Sequence, residues 1–426
     1  MFALVDCNNF YVSCELVFNP ALNSKPVIVL SNNDGCVISR SNEAKALGIK
    51  MGEPAFKIAG FLKRNQVAVF SSNYCLYGDL SKRIMQTLAE FTPELEIYSI
   101  DEAFLNLTGI TKNLEDYSRQ IRQSVLQNTG MPVSIGVAPT KTLAKTANYF
   151  AKKQPKNQGI IILDSPDKIA TALQQFVIDE VWGIGHQYAT MLERIGVRTA
   201  ADFVKLPDVW VRHKMTVVGL RIKKELEGIS CIKMEAIPPA KKAMCTSRSF
   251  GTTQTGLEPL QEAVATFANQ CAVKLRRQKT YANQLLVFIH TNGFNPNEPQ
   301  YAQNFVCKLP TSTNSSIILI KYALAGLKAI YREGFNYKKA GVLVFDLVPT
   351  EQAQGSLFDQ TDYDKHTAVM QTLDRVNAKY GANTLKIATQ GSGIRWKLRQ
   401  EKLSPCYTTR WSDIISIEDE KKITPI

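Results

Sequence analysis

The chain has 426 residues, 45% of them hydrophobic and 21% charged, with a formal net charge of +13. That is the make-up of a globular protein with room for two to four domains. No apolar run is long enough to span a membrane and no signal peptide opens the sequence, so a cytoplasmic location follows and the positive excess points to a polyanionic partner.

The first residues, MFALVDCNNFYVSCE, read as an apolar strand running into Asp6 and then a helix over Phe10–Phe18. The amides at the start of that helix could meet phosphate oxygens. An α/β segment to about residue 70 follows, with a strand at PVIVLSN and a helix over NEAKALG closed by Gly48 and Gly52. From Ser71 to about Ser165, helices alternate with strands, the pattern of an α/β layer. Helices are read over Leu80–Phe91 and Leu114–Gln127 and from about Thr140, and strands at MPVSIGVA and QGIIIL.

Between the first two of these helices lies LEIYSIDEAFLNLT, whose alternation reads as a half-buried β-hairpin carrying Asp101 and Glu102 at its turn. An Asp after a strand is ordinarily a turn former or a cap. Two such sites on strongly apolar strands allow a second reading. If the strands are neighbours, Asp6, Asp101 and Glu102 form a cluster that cannot stay ionised without a cation, and hard oxygen donors suit Mg²⁺. The stretch after Thr140 carries Lys141, Lys145, Lys152, Lys153 and Lys156 without an acid; a charge run is usually a solvated helix face, and that is the reading for Lys156. Nine cysteines and four histidines are scattered, without metal-ligand spacing, which argues against structural zinc and a disulfide framework.

A helical segment from Pro166 to about Ile237 contains Gly183-Ile184-Gly185, where glycines would let backbone amides approach a phosphate. A short basic linker, residues 238–242, precedes the order strand, helix, strand, strand, helix, strand over residues 243–347, a ferredoxin-like arrangement. The helices of this part are read at Leu257–Gln278 and Ser315–Arg332. Basic residues including Arg248, Arg276 and Arg277 lie on it. The remainder, 348–426, is polar and contains QGSLFD, either an anchor folding back on the body or a linear docking motif.

The opening VDCNNFYVSCE and the segment YSIDEAFLNLTG resemble the two carboxylate motifs of the Y-family translesion DNA polymerases, in particular their UmuC branch. SNNDGCVISRSNEAKALGIKMGEP, FSSNYCLYGDLS, GVAPTKTLAKTAN, DEVWGIG and LSPCYTTRWSD follow that branch in order and spacing. The resemblance implies a multidomain α/β and α+β right-hand polymerase. Its palm would be residues 1–10 and 71–165, its small fingers 11–70, its helical thumb with a helix-hairpin-helix 166–237, and its ferredoxin-like little finger 243–347.

The resemblance also implies two-metal nucleotidyl transfer with two Mg²⁺ ions on Asp6, Asp101, Glu102 and the Cys7 carbonyl. Tyr11, otherwise a packing aromatic, would be a steric gate against a 2′-hydroxyl. Phe10, Ser39, Asn42, Lys45 and Lys152 would contact the nucleotide. Asn42 and Lys45 stand where the wider family has Tyr and Arg, and a lysine lacks the bidentate fork. Gly183, Gly185, Arg248, Arg276 and Arg277 would grip primer-template DNA, and Gln354, Leu357 and Phe358 would dock on a sliding β-clamp. A UmuD′-like dimer and a RecA filament would be partners of the tail, in SOS-type damage tolerance. A metal-dependent cyclase or nuclease would not need the DNA grips. A catalytically silent DNA-binding scaffold would not need the acids.

Overall fold

The computed structural model describes residues 1–153, 158–235, 237, 239–352, 362–391 and 396–415. The chain forms two compact units: residues 1–31, 35–238 and 402–426 in the first, residues 32–34 and 239–401 in the second.

In the first unit, β1 (Phe2–Cys7) leads into α1 (Phe10–Phe18), followed by β2 (Val27–Leu30), β3 (Val37–Arg40), α2 (Asn42–Ala46), α3 (Ala55–Arg64), β4 (Ala68–Ser71) and α4 (Tyr74–Ala89). The hairpin β5 (Leu95–Ile97) and β6 (Glu102–Asn106) precedes α5 (Leu114–Thr129), β7 (Val133–Ala138), α6 (Lys141–Lys153) and β8 (Ile160–Ile162). After β8 come α7 (Pro166–Gln175), α8 (His186–Arg194), α9 (Ala200–Val204) and α10 (Asp208–Leu226).

A five-stranded sheet in the order β5-β6-β1-β7-β8 is the frame of this unit. β1 is antiparallel to both its neighbours, with Asp6 opposite Glu102 on one side and Ser134 on the other. The two-residue period of the strands divides the sheet cleanly. Ala3, Val5, Ala103, Leu105, Ile135 and Val137 join the core that holds α4 and α5, whereas Leu4 and Phe104 join α6 and the helices after it. Asp6 and Glu102 share the parity of Leu4 and Phe104, so both carboxylates are delivered to the α6 side. Helix α6 lies very close to β7: a Cβ on Gly136 would stand 2.2 Å from the Asn148 nitrogen and 2.4 Å from the Ala144 oxygen. Only glycine permits that approach.

A smaller sheet, β3-β2-β4, carries its own core of Ile28, Leu30, Val37, Ala44, Ile49 and Leu62. Gly48 and Gly52, read as turn glycines, take φ values of +83° and +76°.

The second unit contains β9 (Ala243–Gln254), α11 (Leu257–Gln278), β10 (Thr280–Thr291), β11 (Ala302–Thr313), α12 (Ser316–Ile330), β12 (Tyr337–Pro349) and α13 (Tyr363–Tyr380). Its antiparallel sheet runs β11-β10-β12-β9, and a core of buried residues from the sheet, α11 and α12 joins them. This is the β-α-β-β-α-β order expected from the sequence, and α11 has the bounds read for it. The α13 helix has no counterpart in that reading. No helix among the described residues is long and apolar enough to cross a membrane.

Candidate active site

Because β1 and β6 pair, the Asp6 and Glu102 side chains meet and share a hydrogen bond. Burial pushes the Asp6 carboxyl up to about 8; Lys152 opposes that rise and Glu102 adds to it. Burial works against ionised Glu102 as well, but the proton shared by Asp6 and the Lys145 ammonium hold Glu102 below the usual carboxylate range. Burial and the neighbouring acid thus act together to raise Asp6, the behaviour of like charges in a low dielectric.

The lysine-rich helix α6 explains how the pair is held. Lys141, Lys145 and Lys152 recur at spacings that return to one helix face, and each meets an acid of the sheet. Lys141 pairs with Glu96, Lys145 with Glu102 at 3.0 Å, and Lys152 with Asp6 at 2.6 Å. Lys141 is fully buried and also donates to the Lys233 carbonyl at 2.8 Å. Lys141 and Lys145 thus face the sheet and not solvent, unlike the lysines of an ordinary charge run. The signal for the ladder was present, since a buried sheet that carries three acids on one face needs cations opposite.

Lys145 is further enclosed by aromatic rings. Its ammonium lies 4.4 Å from the Tyr98 centroid and 5.4 Å from that of Trp182, whose indole N–H donates to the Tyr98 hydroxyl at 3.1 Å. Glu225, a residue the sequence reading passed over, fixes the start of α6 from below. It is fully buried, and its carboxylate accepts from the backbone amides of Thr142, Cys231 and Ile232.

Asp101 departs from the expected three-carboxylate cluster. Its backbone carbonyl accepts from the Cys7 amide at 2.9 Å, which brings the turn beside the end of β1. Its carboxylate instead accepts from the Ser99 hydroxyl at 2.5 Å. Among the described residues no three His, Cys, Asp or Glu side chains converge as a metal-holding group. The cause is local: Ser99 Oγ also accepts from the amides of Asp101 and Glu102, an ST-type turn that ties the carboxylate to its own loop.

The residues around α1 sort into two sets. Phe10 and Cys7 are buried in the core, and Phe10 is part of the packing beneath Tyr11. Ser39 is buried too. Its hydroxyl donates to the Asn9 carbonyl and accepts from the Val12 amide, so it anchors the helix start and takes up one amide that the sequence left open for phosphate. Asn42 and Lys45 are exposed and meet on one partner: Lys45 Nζ reaches Asn9 Oδ1 at 2.6 Å, and Asn9 Nδ2 donates to Asn42 Oδ1 at 3.1 Å. Tyr11 lies half-buried, stacked on Tyr77 with centroids 4.6 Å apart and edge-on to Tyr74 at 6.0 Å.

Gly183 has φ +89°, and a Cβ there would lie 2.6 Å from Ile222 Cδ1; Gly185 caps α8 and faces open space. In the second unit, Arg248 and Arg277 are exposed. Arg276 is not free in the same way: Asp374 of α13 grips it through two 2.7 Å bonds, and it also donates to the Asn314 carbonyl. That side chain closes α13 onto α11. The clamp-type residues Gln354, Leu357 and Phe358, and Lys156, lie outside the described residues.

A model described as the impB/mucB/samB family matches residues 5–149, and one for that family's C-terminal domain matches residues 241–357. Protein UmuC of Salmonella typhimurium strain LT2 is 43% identical over 422 residues, covering 98% of this chain and 100% of its own length. The chain belongs to the impB/mucB/samB family. Protein ImpB of Salmonella typhimurium, another member, is 42% identical over 97% of this chain and 99% of its own length. More distantly, DNA polymerase IV 1 of Bacillus subtilis is 25% identical over 90% of this chain and 91% of its own length. A third model, described as a domain of unknown function, matches residues 367–417.

Two solved structures share the right-hand polymerase fold. The Y-family DNA polymerase chimera Dbh-Dpo4(243-245)-Dbh aligns with a TM-score of 0.65 at 22% identity, covering 82% of this chain and all of its own. The insertion ternary complex of Dbh DNA polymerase gives 0.53 at 21% identity, with the same coverage. As a member of this family the chain is an error-prone translesion DNA polymerase, and the reading as a silent scaffold is not favoured.

Proposed function

We propose that this polymerase adds deoxynucleotides to a primer 3′-hydroxyl at the end of the five-stranded sheet where β1 finishes and β6 begins. The observation that carries this reading is the Asp6–Glu102 pair, in register on adjacent strands, with Lys152 and Lys145 as its countercharges. Two hard oxygen donors side by side, one of them paired to a lysine that is itself part-exposed, fit a divalent cation. Asp6 and Glu102, with Asp101 once its carboxylate leaves Ser99 and with the Cys7 carbonyl, would hold two Mg²⁺. Such ions would acidify the 3′-hydroxyl and stabilise the pyrophosphate leaving group.

The chain's own side chains do the rest. Lys152, still 39% exposed while paired to Asp6, can turn its ammonium to an incoming triphosphate and stabilise the charge that builds there. Lys45, on the far side of Asn9, offers a second cation. The Tyr11 ring, fixed on Tyr77, excludes a sugar that carries a 2′-hydroxyl.

Residues 1–10 and 71–165 act as palm, 11–70 as fingers, 166–237 as thumb and 243–347 as little finger. Duplex contacts fall to the amides around Gly185 and to Arg248 and Arg277, which position DNA without reading its sequence. Primer-template DNA and deoxynucleoside triphosphates are the substrates. The tail reaches a UmuD′-like dimer, a RecA filament and, through Gln354, Leu357 and Phe358, a sliding β-clamp in the bacterial cytoplasm.

The test is primer extension on an abasic template with Mg²⁺ and deoxynucleotides, for the chain alone and with UmuD′ and activated RecA. Extension that Asp101→Asn abolishes, while duplex binding persists, supports the reading. Wild-type turnover in Asp101→Asn would refute it.

A further inference from the structure

The motif LSPCYTTRWSD lies at the end of the stretch matched by the model of unknown function. Its first half is built into the first unit behind α1. Lys402 and Ser71 exchange hydrogen bonds, the Ser71 amide to the Lys402 carbonyl at 2.9 Å and the Lys402 amide to Ser71 Oγ at 3.0 Å. The Asn73 amide side chain donates to the Ser404 carbonyl at 3.0 Å and to the Pro405 carbonyl at 3.2 Å. Tyr407 stacks flat on Phe18, centroids 4.7 Å apart. Asp413 folds the segment on itself by accepting from the Cys406 amide at 2.9 Å.

At the centre is Glu15, 2% exposed, whose Oε1 accepts from the Ser404 hydroxyl at 3.0 Å and from the Tyr77 hydroxyl at 2.7 Å. Tyr77 is fully buried, and its ring is the surface on which Tyr11 rests. An unbroken path therefore runs from the tail through Ser404, Glu15 and Tyr77 to Tyr11. Each link is a buried hydrogen bond or a ring stack, so a shift in one is passed to the next rather than absorbed by solvent.

We propose that residues 402–413 are a strap that sets the height of the Tyr11 ring, making Ser404, Glu15 and Tyr77 positioning residues for sugar discrimination. This rests on the reading of Tyr11 as the gate. A strap anchored far along the chain also lets anything that pulls on the tail alter sugar selection without touching the acids.

The experiment measures kcat/KM for a ribonucleotide and its deoxynucleotide with the full chain in primer extension. The variants are Ser404→Ala, Ser404→Thr, Tyr77→Phe, Tyr11→Ala and the double variant Ser404→Ala with Tyr11→Ala. The ratio is the readout because a general loss of folding lowers both rates together. Ser404→Ala and Tyr77→Phe should each raise the ribonucleotide-to-deoxynucleotide ratio about five-fold, the leverage of one buried hydrogen bond. Ser404→Thr should restore it, and Ser404→Ala should add nothing in the Tyr11→Ala background. If Tyr11→Ala admits ribonucleotides while Ser404→Ala and Tyr77→Phe leave the ratio unchanged, the strap is overturned and the gate stands. If Tyr11→Ala leaves the ratio unchanged, the gate itself fails and takes the strap with it.

Discussion

Two buried carboxylates stand on either side of β1 and α1, and they are held in opposite ways. Asp6 is enclosed by charge: a partner acid, a lysine at 2.6 Å and a second lysine on the partner. Glu15 is enclosed by neutral hydroxyls, those of Tyr77 and Ser404. A carboxylate balanced by a part-exposed ammonium can exchange it for a metal ion, which frees that ammonium for a triphosphate. One balanced by buried hydroxyls has nothing to exchange and serves as a fixed joint.

The largest effect should come from breaking the replaceable side. Asp6→Asn keeps the shape of the side chain but removes its charge, and single-turnover incorporation should fall by about a thousand-fold or more. Next in size is Gly136→Ala. The added methyl has no room against α6, and urea denaturation should show a loss of about 1–3 kcal/mol, with the Lys145 and Lys152 contacts displaced. Lys152→Ala should lower kcat/KM for the incoming nucleotide by about ten- to a hundred-fold while Asp6 loses its partner; an unchanged kcat/KM would remove Lys152 from the triphosphate site.

The fixed side predicts a smaller, pH-dependent effect. Burial lifts Glu15 above the ordinary carboxylate range, and the hydroxyls of Tyr77 and Ser404 pull against that lift. The native chain then holds this proton to higher pH than the unfolded chain does. The stabilisation is full below the unfolded value, about 4.3, and is lost as pH rises through the native one. Glu15→Gln removes that loss. Its Tm relative to wild type should therefore climb as pH is raised from about 4, and a difference independent of pH would show that Glu15 is not the titrating group.

Much of this comparison was legible in the sequence, but not evenly. The acids after β1 and in the β5–β6 turn stood out because carboxylates interrupt apolar strands, and α1 and α11 followed directly from their periodicity. The lysine ladder was missed because a sequence shows a charged helix face without showing what it faces. Asp101 was expected in the cluster because it adjoins Glu102; the Ser99 turn that holds it is a matter of side-chain geometry. Arg276 was read as a DNA contact because its acidic partner, Asp374, lies on a helix that the polar tail did not announce. Glu15 went unnoticed for the same reason. A lone acid on a short helix has no pattern, and its partner Ser404 is 389 residues away.

We propose that at the Asp6–Glu102 pair a divalent cation takes over from Lys152, whose ammonium then turns to the triphosphate. The most direct measurement is Mg²⁺-dependent single-turnover incorporation of one deoxynucleotide by wild type and Asp6→Asn, with duplex affinity measured alongside. Incorporation should saturate with Mg²⁺ in the wild type and be lost in Asp6→Asn at unchanged duplex affinity. Incorporation by Asp6→Asn at the wild-type rate would contradict it.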